Sequence, residues 1–387
     1  MKQNLYSLPE SWDWRKLGEV ATLINGKAYK KHELLSEGPV PVLRVGNFFS
    51  NRSWYYSDLE LPEDKYCHNG DLLYAWSASF GSKIWDGGKA IYHYHIWKII
   101  TSELVEKKYL YYLLEQDSAD IKSKGNGIAM MHATKGGMEK RYIPLPPLPE
   151  QKKIAEILDA ADSLRQKDQQ LIEHYNTLSQ SLFLDMFGDP VGNPMGWEEV
   201  EFVTVGKLDR GKSKHRPRND PKLLGGDYPL IQTGDVANCG GYIREYRSTY
   251  SEFGLSQSRM WDAGTLCITI AANIAKTGIL AFDACFPDSV VGFINNNKSN
   301  IEYVKFWMSF LQKILEDSAP MAAQKNINLK ILRELEIPLP PIELQNKFGE
   351  RVRLIEEQKQ QAQVTLKKSE DLFNSLLQRA FKGELTS

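Results

Sequence analysis

Residues 143–147 read IPLPP, and residues 337–341 read IPLPP again, 194 positions further along a chain of 387. The same offset pairs Gly70 with Gly264, Leu72 with Leu266, Tyr109 with Tyr303, Leu178 with Leu372, Ser181 with Ser375, Leu182 with Leu376 and Phe187 with Phe381. Nearer the start of each half the offset drifts to 183–188, as loops of unequal length produce. There WRKLGEVATLINGK (14–27) lies over WEEVEFVTVGKLDRGK (197–212), and PVLRVGN (41–47) over PLIQTGD (229–235). The chain is one unit of about 190 residues, duplicated and diverged.

Each copy has two parts. Ahead of the prolines, short apolar runs such as GDLLYAW and AIYHYHIWKII are punctuated by Gly, Asn, Asp and Pro, which predicts mixed structure rich in short strands. A helical stretch, EKKYLYYLLEQ in the first copy, follows in each. After the prolines, Ile154, Ile157, Ala161, Leu164, Leu171, Tyr175, Leu178 and Leu182 follow 3-4 spacing, with Asp168 the polar intrusion. In the second copy Phe348, Ile355, Ala362, Leu372 and Leu376 keep that register. Such spacing without Gly or Pro predicts coiled-coil helices, and about 35 residues spans roughly 50 Å. Proline is tolerated in a first helical turn, so each motif suits a helix start. The expected fold is α+β: two mixed α/β domains, residues 1–142 and 191–336, joined by two long antiparallel helices within 143–190 and 337–387. An antiparallel pair predicts globular domains at opposite ends, related by a pseudo-twofold axis.

The segments YIPLPPLPEQKKIAEILDAAD (142–162) and EIPLPPIELQNKFGERV (336–352) each close a variable domain and open a helix. With the helix ends SLFLDMFGD (181–189) and SLLQRAFKGEL (375–385), they resemble the specificity (S, HsdS) subunit of type I restriction-modification enzymes over essentially the whole chain. That resemblance implies two target recognition domains, each reading one half of a split double-stranded DNA site. It implies two methyltransferase (M) subunits docked on the helical spacer and two restriction/motor (R) subunits, acting in phage defence. The chain itself would be non-catalytic and bind no cofactor; S-adenosylmethionine, ATP and Mg would belong to the partners. The two copies differ most in the loops expected to read DNA, which predicts unlike half-sites. A DNA-binding scaffold of the same fold in another defence system, without type I partners, is the alternative.

Composition narrows the other classes. The formal net charge of −1 gives no generic polyanion binder, 42% hydrophobic and 25% charged residues suit a globular chain, and no apolar run approaches the roughly 20 residues of a membrane helix. The start, MKQNLYSLPESWDW, lacks a basic-then-apolar signal plan, and the four cysteines never form C-x-x-C, so the expected location is cytoplasmic, with no membrane and no metal cluster. DPVGNPMGW (189–197) has the letters of an adenine-methyltransferase motif but not their order, and no Gly-rich cofactor loop accompanies it. GKLDRGKS (206–213) fits the phosphate-loop pattern, with EFVTV (201–205) as the strand before it. Pro217 and Pro221 oppose the helix that should come next, and the first copy lacks the pattern, so a P-loop ATPase is not expected. His93 and His95 would share one face of a strand, without further residues to complete a metal site.

Cations and amides in the loops are the candidate DNA contacts, since Arg and Lys suit phosphates and guanine, Asn and Gln adenine. A first set follows the repeated Gly-Lys pair: Lys27, Lys30 and Lys31 in one copy, Lys212, Lys214, Arg216 and Arg218 in the other. A second comprises Arg44, Asn47, Arg52 and Trp54, matched by Gln232, Asn238, Arg244 and Arg247. A third comprises Ser77, Ser79 and Lys83, matched by Asn273, Lys276 and Thr277. A fourth, ahead of each proline motif, comprises Lys124, Asn126 and Lys135, matched by Gln324, Lys325 and Asn326.

Overall fold

Alternation along residues 72–75 shows how the first unit is layered. In the computed structural model, which describes residues 7–50, 53–77, 79–123, 134–271, 274–318 and 327–385, Leu72 and Tyr74 enter one core and Leu73 and Ala75 another. A strand buried on both faces must sit between two layers, because successive side chains point opposite ways. The strands of this unit are β1 (Asp13–Lys16), β2 (Ala21–Asn25), β3 (Val40–Leu43), β4 (Tyr55–Ser57), β5 (Tyr66–Cys67), β6 (Leu72–Ser77), β7 (Ser79–Ile84), β8 (Ala90–Tyr92), β9 (Ile96–Thr101) and β10 (Tyr142–Leu145). An antiparallel sheet of order β2-β9-β6-β7 packs one face on helix Lys107–Ser123 and the other on a mixed sheet of order β4-β3-β8-β5, in which β3 and β8 run parallel. Antiparallel pairing of β1 with β10, Arg15 opposite Ile143, fastens the start of the domain to the proline motif.

The second unit repeats this plan. Its strands are β11 (Glu199–Glu201), β12 (Gly206–Arg210), β13 (Leu224–Leu230), β14 (Tyr242–Ile243), β15 (Ser248–Tyr250), β16 (Met260–Trp261), β17 (Leu266–Thr269), β18 (Thr277–Leu280), β19 (Ala284–Cys285), β20 (Val290–Asn295) and β21 (Glu336–Pro338). The orders β12-β20-β17-β18 and β15-β13-β19-β16 reproduce those of the first unit, and β11 pairs with β21 as β1 does with β10. One strand is added: β14 lies parallel to β18 at the sheet edge.

The two long helices, Leu148–Phe187 and Ile342–Ala380, are each divided between the compact units, Met1–Gln169 with Val364–Ser387 and Gln170–Gln363. Both cuts fall at the same place in the repeat, 194 residues apart. In the first unit Arg165 lies over the ring of Phe373 and Asp168 accepts a hydrogen bond from Ser369, so one helix descends as the other rises and the pair is antiparallel. In the second unit Phe183 and Phe187 pack on Phe348.

Each helix enters its domain through the same joint. Gln151 is fully buried; its Oε1 accepts from the Glu106 backbone N–H at 2.8 Å, and its Nε2 donates to the carbonyls of Leu104 (3.0 Å) and Pro146 (2.8 Å). Gln345, also fully buried, accepts from the Asn300 N–H at 2.9 Å and donates to Lys298 (3.2 Å) and Pro340 (2.8 Å). Tyr109 and Tyr303 add matching hydroxyl bonds to the carbonyls of Pro144 and Pro338. The repeated motif is therefore a joint, in which one amide side chain satisfies backbone groups on both sides of the domain–helix boundary.

Three expectations are corrected. Leu164, Leu171, Leu178 and Leu372 are 41–51% exposed, whereas the buried stripe runs through Ile154, Leu158, Ala161, Asp168 and Ile172, with Arg165 half-buried, and through Phe348, Val352, Lys359, Ala362 and Ser369, with Ile355 and Leu366 half-buried. The stripe tolerates polar residues because they are partnered: Asp168 by Ser369, Arg165 by Asp162 at 2.5 Å, Lys359 by Glu356 at 3.0 Å. EFVTV is not a strand; residues Phe202–Thr204 form a 3₁₀ turn, and the strand is β12 itself. His93 and His95 do not share a strand but sit in the bend between β8 and β9.

Candidate nucleic-acid interface

In the first unit, the parallel pairing of β3 with β8 places the ends of both strands side by side, Leu43 opposite Tyr92. The loops leaving the two strands therefore converge, although some 50 residues separate them in sequence. Arg44, Asn47, Ser53, Tyr55, Ser77, Ser79, His93 and His95 line one concave pocket of about 740 Å³. The Arg44 guanidinium lies over the Tyr55 ring at 5.0 Å, and Asn47 donates to the Ser53 carbonyl at 3.2 Å. The rings of His93 and His95 stand 4.8 Å apart.

Burial, then the neighbouring His95 and Arg44, hold His93 down to about 4 from an ordinary 6.5. Burial likewise lowers His95. Both rings are thus neutral at physiological pH, each offering one donor and one acceptor. Below pH 6.5 the unfolded chain takes up a proton on His93 that the folded chain refuses, so stability falls as pH drops from 6.5 toward 4. Allowing for solvent screening, the loss is about 1–2 kcal/mol. Urea unfolding at pH 7 and pH 4.5 checks this: His93→Gln should lose less stability across that interval than the wild type, by the same amount.

The repeated Gly-Lys pair has a packing origin. A Cβ on Gly26 would stand 2.1 Å from the Tyr92 carbonyl oxygen, and one on Gly211 would stand 2.3 Å from that of Phe286. Gly206 faces the Phe293 ring, where the first unit has Ala21 and Ile99 at the corresponding places. The glycines of GKLDRGKS thus serve close strand packing. Residues 206–210, which a phosphate cradle needs as an open loop, are a strand paired with β20.

A family model described as the type I restriction modification DNA specificity domain matches this chain twice, over residues 9–174 and 194–366. The chain belongs to that family. The EcoBI specificity subunit of Escherichia coli is 25% identical, over 99% of this chain and 88% of its own length. The MjaVIII specificity subunit of Methanocaldococcus jannaschii is 26% identical, over 96% and 93%. Among solved structures, the S subunit of a type I restriction-modification system from M. genitalium shares the fold, with a TM-score of 0.59 at 16% identity, covering 97% of this chain and 98% of that one.

Within the first specificity domain the structure gathers Arg44, Asn47, Ser77 and Ser79 into the pocket and sets other candidates apart. Trp54 packs toward Trp85 and the inter-sheet core. Lys27 is ion-paired with Glu33 at 3.2 Å, Lys83 with Asp86 at 3.0 Å and Lys135 with Glu139 at 3.7 Å. Lys30 and Lys31 are exposed. Sequence reasoning missed the pocket aromatics Phe49 and Tyr55 and left the two histidines unassigned; the aromatic content of RVGNFFSNRSWYY was the available signal.

In the second specificity domain the places of His93 and His95 are taken by Pro287 and Ser289. Arg216 (3.5 Å) and Arg218 both pair with Asp288, which lies between them, while Lys212 and Lys214 are exposed. A smaller pocket of about 270 Å³ is lined by Asp235, Asn238, Tyr242, Arg244, Tyr246 and Arg247, among others. Arg244 also stacks on Tyr242 at 4.6 Å and pairs with Glu356 of the spacer helix at 3.2 Å, whereas Arg247 is highly exposed. Gln232 is exposed where β13 gives way to a short helix, while Lys276 and Thr277 are half-buried at the start of β18. Arg52, Lys124, Asn126, Asn273, Gln324, Lys325 and Asn326 lie outside the described residues. No group of three or more metal-ligating side chains occurs among the described residues, and no described helix is long and apolar enough to cross a membrane.

Proposed function

We propose that this chain is the sequence-reading subunit of a type I restriction-modification complex. It recognises a bipartite, asymmetric double-stranded DNA site, one half with each specificity domain. The observation that carries this reading is the double family match, on two units that share a topology but differ at the surfaces their loops build. The half-sites differ because the pocket containing Arg44, His93 and His95 has at its counterpart Gln232, Pro287 and Ser289.

Chemistry falls to the partners. Two methyltransferase subunits dock on the long helices and bring S-adenosylmethionine to adenine N6; two restriction/motor subunits bring ATP and Mg. This chain supplies address and spacing, in the cytoplasm, as part of a defence against incoming DNA. Co-expression with the methyltransferase subunit encoded beside it, followed by single-molecule sequencing of modified adenines, tests the reading. A new split motif, unlike in its halves and lost without this chain, is the expected result. Assembly of the complex with no new methylation would overturn it.

Lys212→Ala separates this reading from nucleotide binding. The variant should leave ATP binding by the chain as it is in the wild type and weaken DNA binding. The slope of log affinity against log salt should fall by about one, as for one lost phosphate contact.

A further inference from the structure

Arg44 and Gln232 leave the backbone from the same place in the two units. Arg44 directly follows β3, which runs parallel to β8, and Gln232 follows β13, which runs parallel to β19, one residue further on; each is the N-cap of a short helix. The local backbone bonds match. The Arg44 carbonyl accepts from Asn47 and Phe48 at 2.9 Å, and the Gln232 carbonyl accepts from Asp235 at 3.0 Å and Val236 at 3.2 Å. The backbone turn is shared while the side chain differs, with the Gln232 N–H further held by Asp235 Oδ2 at 2.9 Å, so this position can change what is read while the reader stays held at a helix N-cap.

The surroundings of Arg44 point to a ligand. Arg141 is paired with Asp117, Arg216 and Arg218 with Asp288, and Arg244 with Glu356. Arg44, by contrast, has no carboxylate partner among the described residues and lies over the Tyr55 ring at 5.0 Å, in a concave site shared with Ser77, Ser79, His93 and His95. A cation–π contact uses none of the N–H donors, so the forked donors of the guanidinium are not consumed by the ring. That fork matches two acceptors side by side, which is the pattern guanine O6 and N7 present in the major groove. A glutamine amide offers one donor and one acceptor, the complement of adenine N6 and N7.

We propose that this position selects the base in each specificity domain, Arg44 reading guanine in one half-site and Gln232 reading adenine in the other. The inference rests on the reading of the chain as a DNA-specificity subunit.

Exchanging the two side chains tests it, with methylomes of the wild-type, Arg44→Gln and Gln232→Arg complexes as the readout. For Arg44→Gln, one guanine of one half-site should give way to adenine or become unspecified while the other half-site stays as it was. The preference for the original base should drop roughly ten- to hundred-fold. Gln232→Arg should alter one adenine in the opposite half-site, toward guanine. An Arg44→Gln complex that methylates the wild-type motif unchanged, at full or uniformly reduced level, overturns the assignment and makes Arg44 a positioning residue at most. A wild-type complex that yields no split motif instead overturns the underlying functional reading. Should Arg44→Gln fail to fold, Arg44→Lys keeps the charge without the fork. It is expected to relax the guanine preference while leaving the salt dependence of DNA binding unchanged. An unrelaxed motif with Arg44→Lys overturns the proposal equally.

Discussion

Replacing Gln345 by leucine is expected to destabilise the second unit by about 3–5 kcal/mol, a loss that denaturant unfolding resolves directly. Leucine fills nearly the same volume, so no cavity forms and the effect isolates hydrogen bonding. The amide satisfies three backbone groups, the Asn300 N–H and the carbonyls of Lys298 and Pro340, at a fully buried site. A carbonyl or N–H left without a partner inside protein costs roughly 1–3 kcal/mol, about twice what one bond contributes net. Gln151→Leu should do the same to the first unit through Glu106, Leu104 and Pro146. A loss below about 1 kcal/mol in either variant would mean that water reaches those backbone groups and that the joint is not sealed.

The second large effect is expected at Gly26 and Gly211. An added methyl at Gly26 meets the carbonyl oxygens of Tyr92 at 2.1 Å and His93 at 2.5 Å; at Gly211 it meets those of Phe286 at 2.3 Å and Pro287 at 2.4 Å. These are backbone atoms within or next to β8 and β19, and retreat would break pairing with β3 or β13. Gly26→Ala and Gly211→Ala should therefore each lose about 3 kcal/mol or more, at the upper end for overpacking. Gly136→Ala is the control: its added methyl meets nothing within 4 Å, and it sits in the helix Lys135–Glu139. Calorimetric melting should leave that variant at or slightly above the wild type. Equal losses at Gly136 and Gly211 would remove the steric account of the Gly-Lys pair.

The repeat was legible because its signals are local and doubled. Prolines suit a helix start because the first turn tolerates them, and the 194-residue offset returned the same pairs where the fold constrains both copies: Tyr109 with Tyr303, Phe187 with Phe381. The helix seam was legible at Ile154, Ala161, Asp168, Phe348 and Ala362, and missed where hydrophobicity ranks Leu171 and Leu178 above their neighbours Ile172 and Ser179, which are buried instead. The polar Asp168 and Ser179 are buried nonetheless, Asp168 with a partner, Ser369, that lies 201 residues away. The phosphate-loop pattern was legible as a decoy from Pro217 and Pro221, but not the packing role of its glycines, because letters record that a glycine is present and not what it touches. The pocket was only half legible. Arg44 and Asn47 carry recognisable chemistry, but His93 and His95 join them through the parallel contact of β3 and β8, which leaves no mark in either segment.

The joint at Gln151 and Gln345 has a consequence for inheritance. Its participants, residues 104, 106, 109, 144, 146 and 151, correspond one by one to 298, 300, 303, 338, 340 and 345, and the side chains that make the bonds are the same in both copies. Four of the six participants contribute only backbone atoms, which any sequence supplies. A genetic crossover inside the proline motif would therefore splice an unfamiliar domain onto an existing helix and find the glutamine of the joint, and the backbone groups it bonds, already provided. A lineage can exchange one address for another by recombination, in a single step, without relearning how to fold.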